Sequence, residues 1–476
     1  MRGLNFIFVK PFTQIFVGLL LAITGGWWLT NSASGQLPQL NVGTFSNRAF
    51  QIAWPYTSSG FVLQASTNFT ATNWEASQLS ALFNSNNATF SISAAATNKA
   101  GFFRLIRPVD LRGIYIYSGD VSSLTAEDAQ TLSNSLPVPG VDGLVLVISW
   151  MALEPTNHIF HWTNLDLWMN QAIALGKKVD LAVEAGQDTP SWLFDPATNG
   201  GAGALELNFT VSPHQGATSN CIPETITAPW DTNFLAAWDN MLRVLANHLN
   251  SVGTYSHVTL VRLTGINRTT DELRLPSETP EETDLSCVSN APAIWQSVGY
   301  TPSNLLSGWT GVLSSFQKYF PDKTFCVAII PKNGFPPIDD NGQIITQNIP
   351  DPNLPLLAYA GQNLPGRLVV QFNSLVNGSS AISAVPEAAQ SYGTLAAYQS
   401  NDWLGSSNGG AACGGDAANP VLCANDADYL SELNEGIYPL TPTNSLRSQY
   451  IEVFPANVIV YTNAIWQAHV ELFAPK

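Results

Sequence analysis

A pair of carboxylates flanking a glycosidic bond can cleave it, one giving a proton and the other acting as nucleophile or base. Indole faces stack on sugar rings, and amides and acids bind hydroxyls. These residue types gather just after the apolar runs of this chain. Trp150 and Glu154 follow the run 143–149, and Glu184, Gln187 and Trp192 follow 178–184. Asn267, Arg268, Asp271 and Glu272 follow 259–265. Asn373 follows 367–371, while Gln399, Asn401, Asp402 and Trp403 close 394–399. Glu452 lies within 449–453, between Ile451 and Val453. A carboxylate there is costly to bury unless it is paired or solvated. The six histidines form no HExxH pair and no CxxC spacing occurs, so neither a metal nor another cofactor is expected.

The elements that must position these residues repeat. Apolar runs at 113–117, 143–149, 178–184, 259–265, 324–330, 367–371, 394–399 and 449–453 alternate with amphipathic stretches. The clearest amphipathic stretches are 165–174 and 234–249, with apolar residues three and four apart. Continuous apolar strands, each followed by a helix, imply a parallel sheet covered on both faces. Eight such units closing on themselves predict a (β/α)₈ TIM barrel over 109–476. The alternative is an open doubly wound sheet. That fold usually carries a glycine-rich phosphate loop after its first strand, and Gly119, Asp120, Val121 and Ser122 do not make one. In a barrel the loops after the strands form the active face, and the residues named above fall there.

Residues 41–108 read differently. Short alternating runs separated by turn residues predict a small antiparallel β-sandwich. Ahead of it, Arg2 and Lys10 precede an apolar stretch that reaches Leu29, and Ala33, Ser34 and Gly35 offer small residues for cleavage. Residues 1–35 are therefore expected to be a secretory signal peptide, and the mature protein to be secreted or held at the cell surface. An uncleaved membrane anchor is the rival; after cleavage no membrane association is expected. The formal net charge of −16 argues against nucleic acid and against anionic membranes. Charged residues make up only 11% of the chain, so the surface must be built from neutral polar groups, and sugars remain fitting ligands. The five cysteines suit an exported chain. Cys413 is expected to pair with Cys423 and Cys221 with Cys287, leaving Cys326 as a buried thiol.

Two stretches resemble known families. Trp54, Pro55, Leu63 to Asn68, Trp74 and Phe102 to Leu105 resemble a short β module of secreted bacterial proteins. The module reads as a spacer, with carbohydrate binding as the alternative. Trp150 with Glu154 and Pro155, then Phe160, His161 and Trp162 with Leu165 and Asp166, then Gly176 and Lys177, resemble the second repeat of clan A glycoside hydrolases. Pro190, Trp192 and Leu193 resemble the corresponding motif of the β-galactosidase-like members. In that family the acid/base is a Glu directly after an Asn at the end of the fourth strand. Here Asn267 is followed by Arg268, and the nearest carboxylates are Asp271 and Glu272. The family's nucleophile ends the seventh strand, where this chain has Gln399 and Asn401; Glu452 lies on the eighth.

These readings together give a secreted hydrolase of O-glycosidic bonds in a poly- or oligosaccharide. Glu272 is its expected acid/base and Glu452 its expected nucleophile. Trp150, Trp192 and Trp403 would line subsites, and Glu184, Asn267, Arg268, Asp271, Asn373 and Gln399 would contact substrate. Arg268, standing where the family has its Glu, favours the alternative of a non-catalytic glycan-binding or surface protein.

Overall fold

In a computed structural model the described residues are 6–9, 40–46, 49–55, 62–66, 75–76, 81–84, 89–95, 101–106, 110–212, 221–268, 270–330, 334–347, 349–375, 384–400, 412–416, 419–439 and 446–474.

Eight strands form the centre. They are β1 (Gly113–Asp120), β2 (Val141–Ser149), β3 (Lys178–Glu184), β4 (Val258–Arg262), β5 (Thr324–Ile329), β6 (Leu368–Leu375), β7 (Leu395–Ser400) and β8 (Tyr450–Val453). Each pairs in parallel with the next, and β8 pairs with β1, so the sheet closes on itself. A long helix follows each strand in turn: α1 (Ala126–Ser135), α2 (Thr163–Ala174), α3 (Thr232–Ser251), α4 (Pro302–Tyr319), α5 (Asn353–Asn363), α6 (Ala384–Tyr392), α7 (Asp426–Ile437) and α8 (Thr462–Phe473). This is a (β/α)₈ barrel, as the spacing of apolar runs predicts.

The two faces of each strand explain the continuous apolar runs. Side chains alternate across a strand, and here both sides are covered. Tyr115, Val145, Val147, Ala182, Leu260, Cys326, Val369, Leu395, Ala397 and Tyr450 fill the barrel interior. Their neighbours Ile114, Leu144, Val179, Val261, Val327, Val370 and Ile451 face the helices. Helix α3 shows how a helix is specified. Asp231 caps it, accepting from the amides of Asn233 and Phe234 at 2.9 Å each. Phe234, Trp238, Met241, Leu242, Leu245 and Leu249 then bury one stripe.

Ahead of the barrel lie two antiparallel sheets. One orders the strands Phe6–Val9, Gly101–Ile106, Val62–Ser66 and Glu75–Ala76; the other orders Asn41–Ser46, Ala49–Pro55, Thr89–Ala95 and Ala81–Asn84. Ile52, Trp54, Phe90 and Ile92 from one sheet meet Leu63, Phe103 and Leu105 from the other, which makes a small sandwich. The strand Phe6–Val9 lies inside the stretch 1–35 read as a leader. Phe83 and Phe90 approach Gly393, where an added Cβ would stand 2.6 Å from the Phe90 ring. Gly393 precedes β7, so this contact is at the amino end of the strands, away from the mouth formed by their carboxyl ends.

Both disulfides join the expected partners. Cys221–Cys287 ties the loop after β3 to the loop after β4, and Cys413–Cys423 closes a ribbon after β7. Cys326 is a buried thiol inside the barrel. No helix among the described residues is long and apolar enough to cross a membrane.

Candidate active site

The fourth strand carries the main surprise. It breaks after Arg262, and the chain leaves the wall at 263–271. It then returns as the short strand Glu272–Leu273. Arg262 pairs with Cys326 of β5, and Glu272 pairs with Ala328, two residues farther along β5. The strand thus resumes in phase. Glu272 takes the inward place that the next inward residue of β4 would occupy, so it stands at the mouth.

Arg262 itself points into the barrel and is almost completely buried. Its guanidinium pairs with three carboxylates: Asp180 of β3 at 3.2 Å, Asp271 of the excursion, and Glu452 of β8. A planar guanidinium offers five donors in a fixed fork, and this geometry serves several acids at once. Burial pushes the Asp180 carboxyl up, against the pull of Arg262. Glu452 is 0% exposed. One of its oxygens meets Arg262 and the other accepts from Gln399 Nε2 at 3.0 Å.

Above this layer, Asn373 on β6 bridges two acids. Its Nδ2 donates to Asp271 Oδ1 at 3.1 Å and to Glu272 Oε1 at 3.3 Å, and its Oδ1 accepts from Gln371 at 2.6 Å. Glu272 also accepts from Thr270 and lies 4.0 Å from Arg274. Burial raises the Glu272 carboxyl, the Arg274 charge lowers it, and Asp271 raises it again.

Glu184 ends β3 in a different environment. It is 4% exposed, and its Oε1 is buried with no hydrogen-bond partner among the described residues. Burial drives its carboxyl well above the usual range, and the charges of Asp271, Asp188, Asp120 and Glu272 drive it the same way. Four residues later, half-buried Asp188 is pushed up to about 7 by burial and by Asp120 and Glu224. Asp120 ends β1 and accepts from the Ser122 amide at 2.9 Å and the Ser149 amide at 3.2 Å. The turn between Glu184 and Asp188 needs glycine at Gly186. Its φ is +60°, and a Cβ there would sit 2.0 Å from the Arg268 carbonyl. Half-buried Tyr117 of β1 and Phe454, just past β8, meet edge to face with centroids 5.7 Å apart.

Several residues expected to touch substrate are engaged elsewhere. Trp150 is 0% exposed and packs edge-on against Trp192 and Trp238, outside the barrel wall. A ring without a free face cannot stack on a sugar, so the subsite role expected for Trp150 is corrected to packing. The same holds for Trp192, which is 7% exposed and donates from Nε1 to the Glu154 carbonyl at 2.7 Å. The Glu154 carboxylate accepts from Trp150 Nε1 and from the His158 amide, each at 2.9 Å. The motif of Trp150, Glu154 and Trp192 therefore builds the loop and not the pocket. Replacing Trp192 by Phe is expected to cost about 1 kcal/mol of stability through the lost hydrogen bond. Urea unfolding checks the stability, and affinity for any glycan ligand should stay as it was.

Arg268 is also turned away. It pairs with Glu224 at 2.7 Å and Glu278 at 2.5 Å. The oxygen Oδ1 of Asn267 accepts from the backbone of Gly265 and Ala185 at 3.0 and 3.4 Å. Both residues brace the loops after β3 and β4. Gln399 serves Glu452, as above. Trp403, Asn401 and Asp402 lie outside the described residues. The structure thus brings Glu184, Asp271, Glu272 and Asn373 together at the mouth. It adds Asp120, Asp188, Tyr117 and Phe454, which sequence reasoning passed over. Their signal was positional: Tyr117 is the next inward place after Tyr115, Asp120 closes β1, and Phe454 comes two residues after Glu452.

The raised carboxyls bear on stability. An acid that keeps its proton longer folded than unfolded makes the folded state the better proton binder, so stability falls as pH rises through that window. Asp188 moves from 3.8 to about 7, and Glu432 on α7, buried beside Ser400, from 4.5 to about 9. The melting temperature is therefore expected to be higher near pH 5 than at pH 8. Scanning calorimetry at the two values checks this. Substituting Glu432 by Gln should flatten the slope.

Comparison with solved structures returns chains of low identity. The catalytic domain of β-amylase from Paenibacillus polymyxa is 12% identical, with a TM-score of 0.43, covering 77% of this chain and 98% of that one. Xylanase B from Clostridium stercorarium F9 is 11% identical, with a TM-score of 0.36, covering 72% and 85%. Endo-glycoceramidase II from a Rhodococcus species, in complex with ganglioside GM3, is 13% identical, with a TM-score of 0.38, covering 74% and 76%. The barrel stands on its own strand order. The chain matches no family model and no curated protein.

Proposed function

We propose that this protein hydrolyses O-glycosidic bonds of a poly- or oligosaccharide, with Glu184 as the proton donor and Glu272 as the ionised carboxylate. The observation that carries this reading is the contrast between the two acids at one barrel mouth. The largest charge effects on Glu184 come from other acids, and one of its oxygens is unpartnered. Glu272 has Arg274 and the Asn373 amide beside it. Burial raises both carboxyls, Glu184 well above the usual range with other acids adding to the rise, Glu272 against the opposing pull of Arg274 and the Asn373 amide. Unequal surroundings of this kind suit an acid and its counterpart. A protonated Glu184 would give its proton to the departing sugar oxygen. Glu272 would attack the anomeric carbon or activate water against it.

This reading moves two roles. Glu272 was expected as acid/base, but its cation and donors suit the charged partner. Glu452 was expected as nucleophile, yet both its oxygens are taken and it has no exposed surface. Its part in the proposal is to position Arg262, and through Arg262 and Asp271 the Asn373–Glu272 pair. Tyr117 and Phe454 supply apolar faces for a sugar ring.

Export is part of the same proposal: cleavage of 1–35 would release the protein, and two disulfides suit an oxidising compartment. The sandwich, docked at the far end of the barrel, would act as a spacer.

The test is release of reducing sugar from a panel of glycans. The wild-type protein should release it from at least one, and Glu184→Gln should not. Binding of a glycan by the wild type with no release from any would return the protein to the non-catalytic reading.

A further inference from the structure

The arc of the mouth built by β1 and β3 is short of positive charge. Arg262 is taken up by Asp180, Asp271 and Glu452 in the layer below, and Arg274 stands beside Glu272 on the opposite arc. Arg268, on the hairpin side, is held by Glu224 and Glu278. Asp120, Glu184 and Asp188 are left near one another, and the largest charge effects on Glu184 and Asp188 come from other acids. Asp120 has its Oδ1 and Oδ2 occupied by Ser122, with Oδ1 also taken by the Ser149 amide, so it contributes charge and not a free ligand atom. Asp188 is half-buried at the rim, and its carboxyl accepts no hydrogen bond from a described residue. Below it, Glu184 presents its buried, unpartnered Oε1. A sugar hydroxyl brings one donor and no charge. An ammonium brings three donors and a full positive charge: a donor can meet the unpartnered Oε1 of a protonated Glu184, and the charge suits the ionised form of Asp188.

Resting on the glycosidase reading, we infer that Asp188 and Glu184 form a subsite for a cationic sugar, a 2-amino-2-deoxy residue of the glucosamine type. The substrate class is then a glycan with free amines. Asp188 is the residue that sets the preference, because it alone of the three is both open to solvent and without a partner.

The test measures equilibrium binding by tryptophan fluorescence near pH 7, where the amine keeps much of its proton and Asp188, pushed up to about 7, is ionised in good part. The probes are a glucosamine oligosaccharide, its N-acetylated form and a cello-oligosaccharide of equal length. The amine form should bind on the order of tenfold tighter than either neutral form, with a ratio that shrinks as salt is added. Asp188→Asn should bring the ratio close to one, and Asp188→Glu, which keeps the charge, should restore it. Equal binding of amine and neutral forms overturns the inference, as does no binding of the amine form or a ratio unchanged in Asp188→Asn. The two readings fail separately. Cleavage of neutral glycans with no amine preference sinks the subsite and leaves the hydrolase. Amine-selective binding without cleavage sinks the hydrolase and leaves the subsite.

Discussion

Glu272→Gln is expected to lower kcat by a factor of about 10³–10⁴ on the preferred glycan while the protein stays folded. The replacement keeps the shape and removes the charge. Glu272 faces Asn373 Nδ2 at 3.3 Å, and a glutamine can be accommodated there by turning its own oxygen toward that donor. What it cannot do is attack carbon or take a proton from water. Circular dichroism and the melting temperature report the fold, and steady-state kinetics report the loss. Glu452→Gln should behave in the opposite way, leaving Arg262 short of one anion and lowering stability. A wild-type rate in Glu272→Gln would remove this residue from the chemistry.

The second large effect concerns Arg262. Replacing it by Met leaves Asp180, Asp271 and Glu452 buried without their cation. Breaking a buried ion pair from one side typically costs about 3–5 kcal/mol, and here three acids lose the same partner. The urea midpoint should fall accordingly. The loss should shrink at acidic pH, because a protonated carboxyl no longer needs the guanidinium. Adding Glu452→Gln to Arg262→Met should recover part of the loss, and a purely additive double variant would contradict the network. Lysine should rescue little, since one ammonium cannot span three carboxylates in this geometry.

The barrel was legible because its signal is local. Each wall strand is an apolar run of the right length, and the amphipathic stripes of α2 and α3 announce helices directly. The disulfides were legible from loop position. The site was only partly so. Glu272 reads as a loop residue because the nine residues 263–271 separate it from β4. The returning strand is visible only through its pairing with Ala328 of β5. Arg262 reads as the polar end of a strand, and its three acids arrive from β3, β8 and the excursion. Such pairing is set by tertiary contacts that no local pattern carries. Trp150 and Trp192 were misleading for the same reason. Residue type suggests a sugar platform, but burial against Trp238 and α3 decides what the ring can touch.

The most direct test of the central claim compares two substrates in Glu184→Gln: one whose leaving group needs a proton, and an aryl glycoside whose leaving group departs as a stable anion. The account predicts a loss of about 10²–10⁴ in kcat/KM on the first and near wild-type kcat/KM on the second, because kcat/KM reports the step that cleaves the bond and only the first substrate requires the acid there. Equal loss on both, or no loss on either, would contradict the assignment of Glu184 as the proton donor.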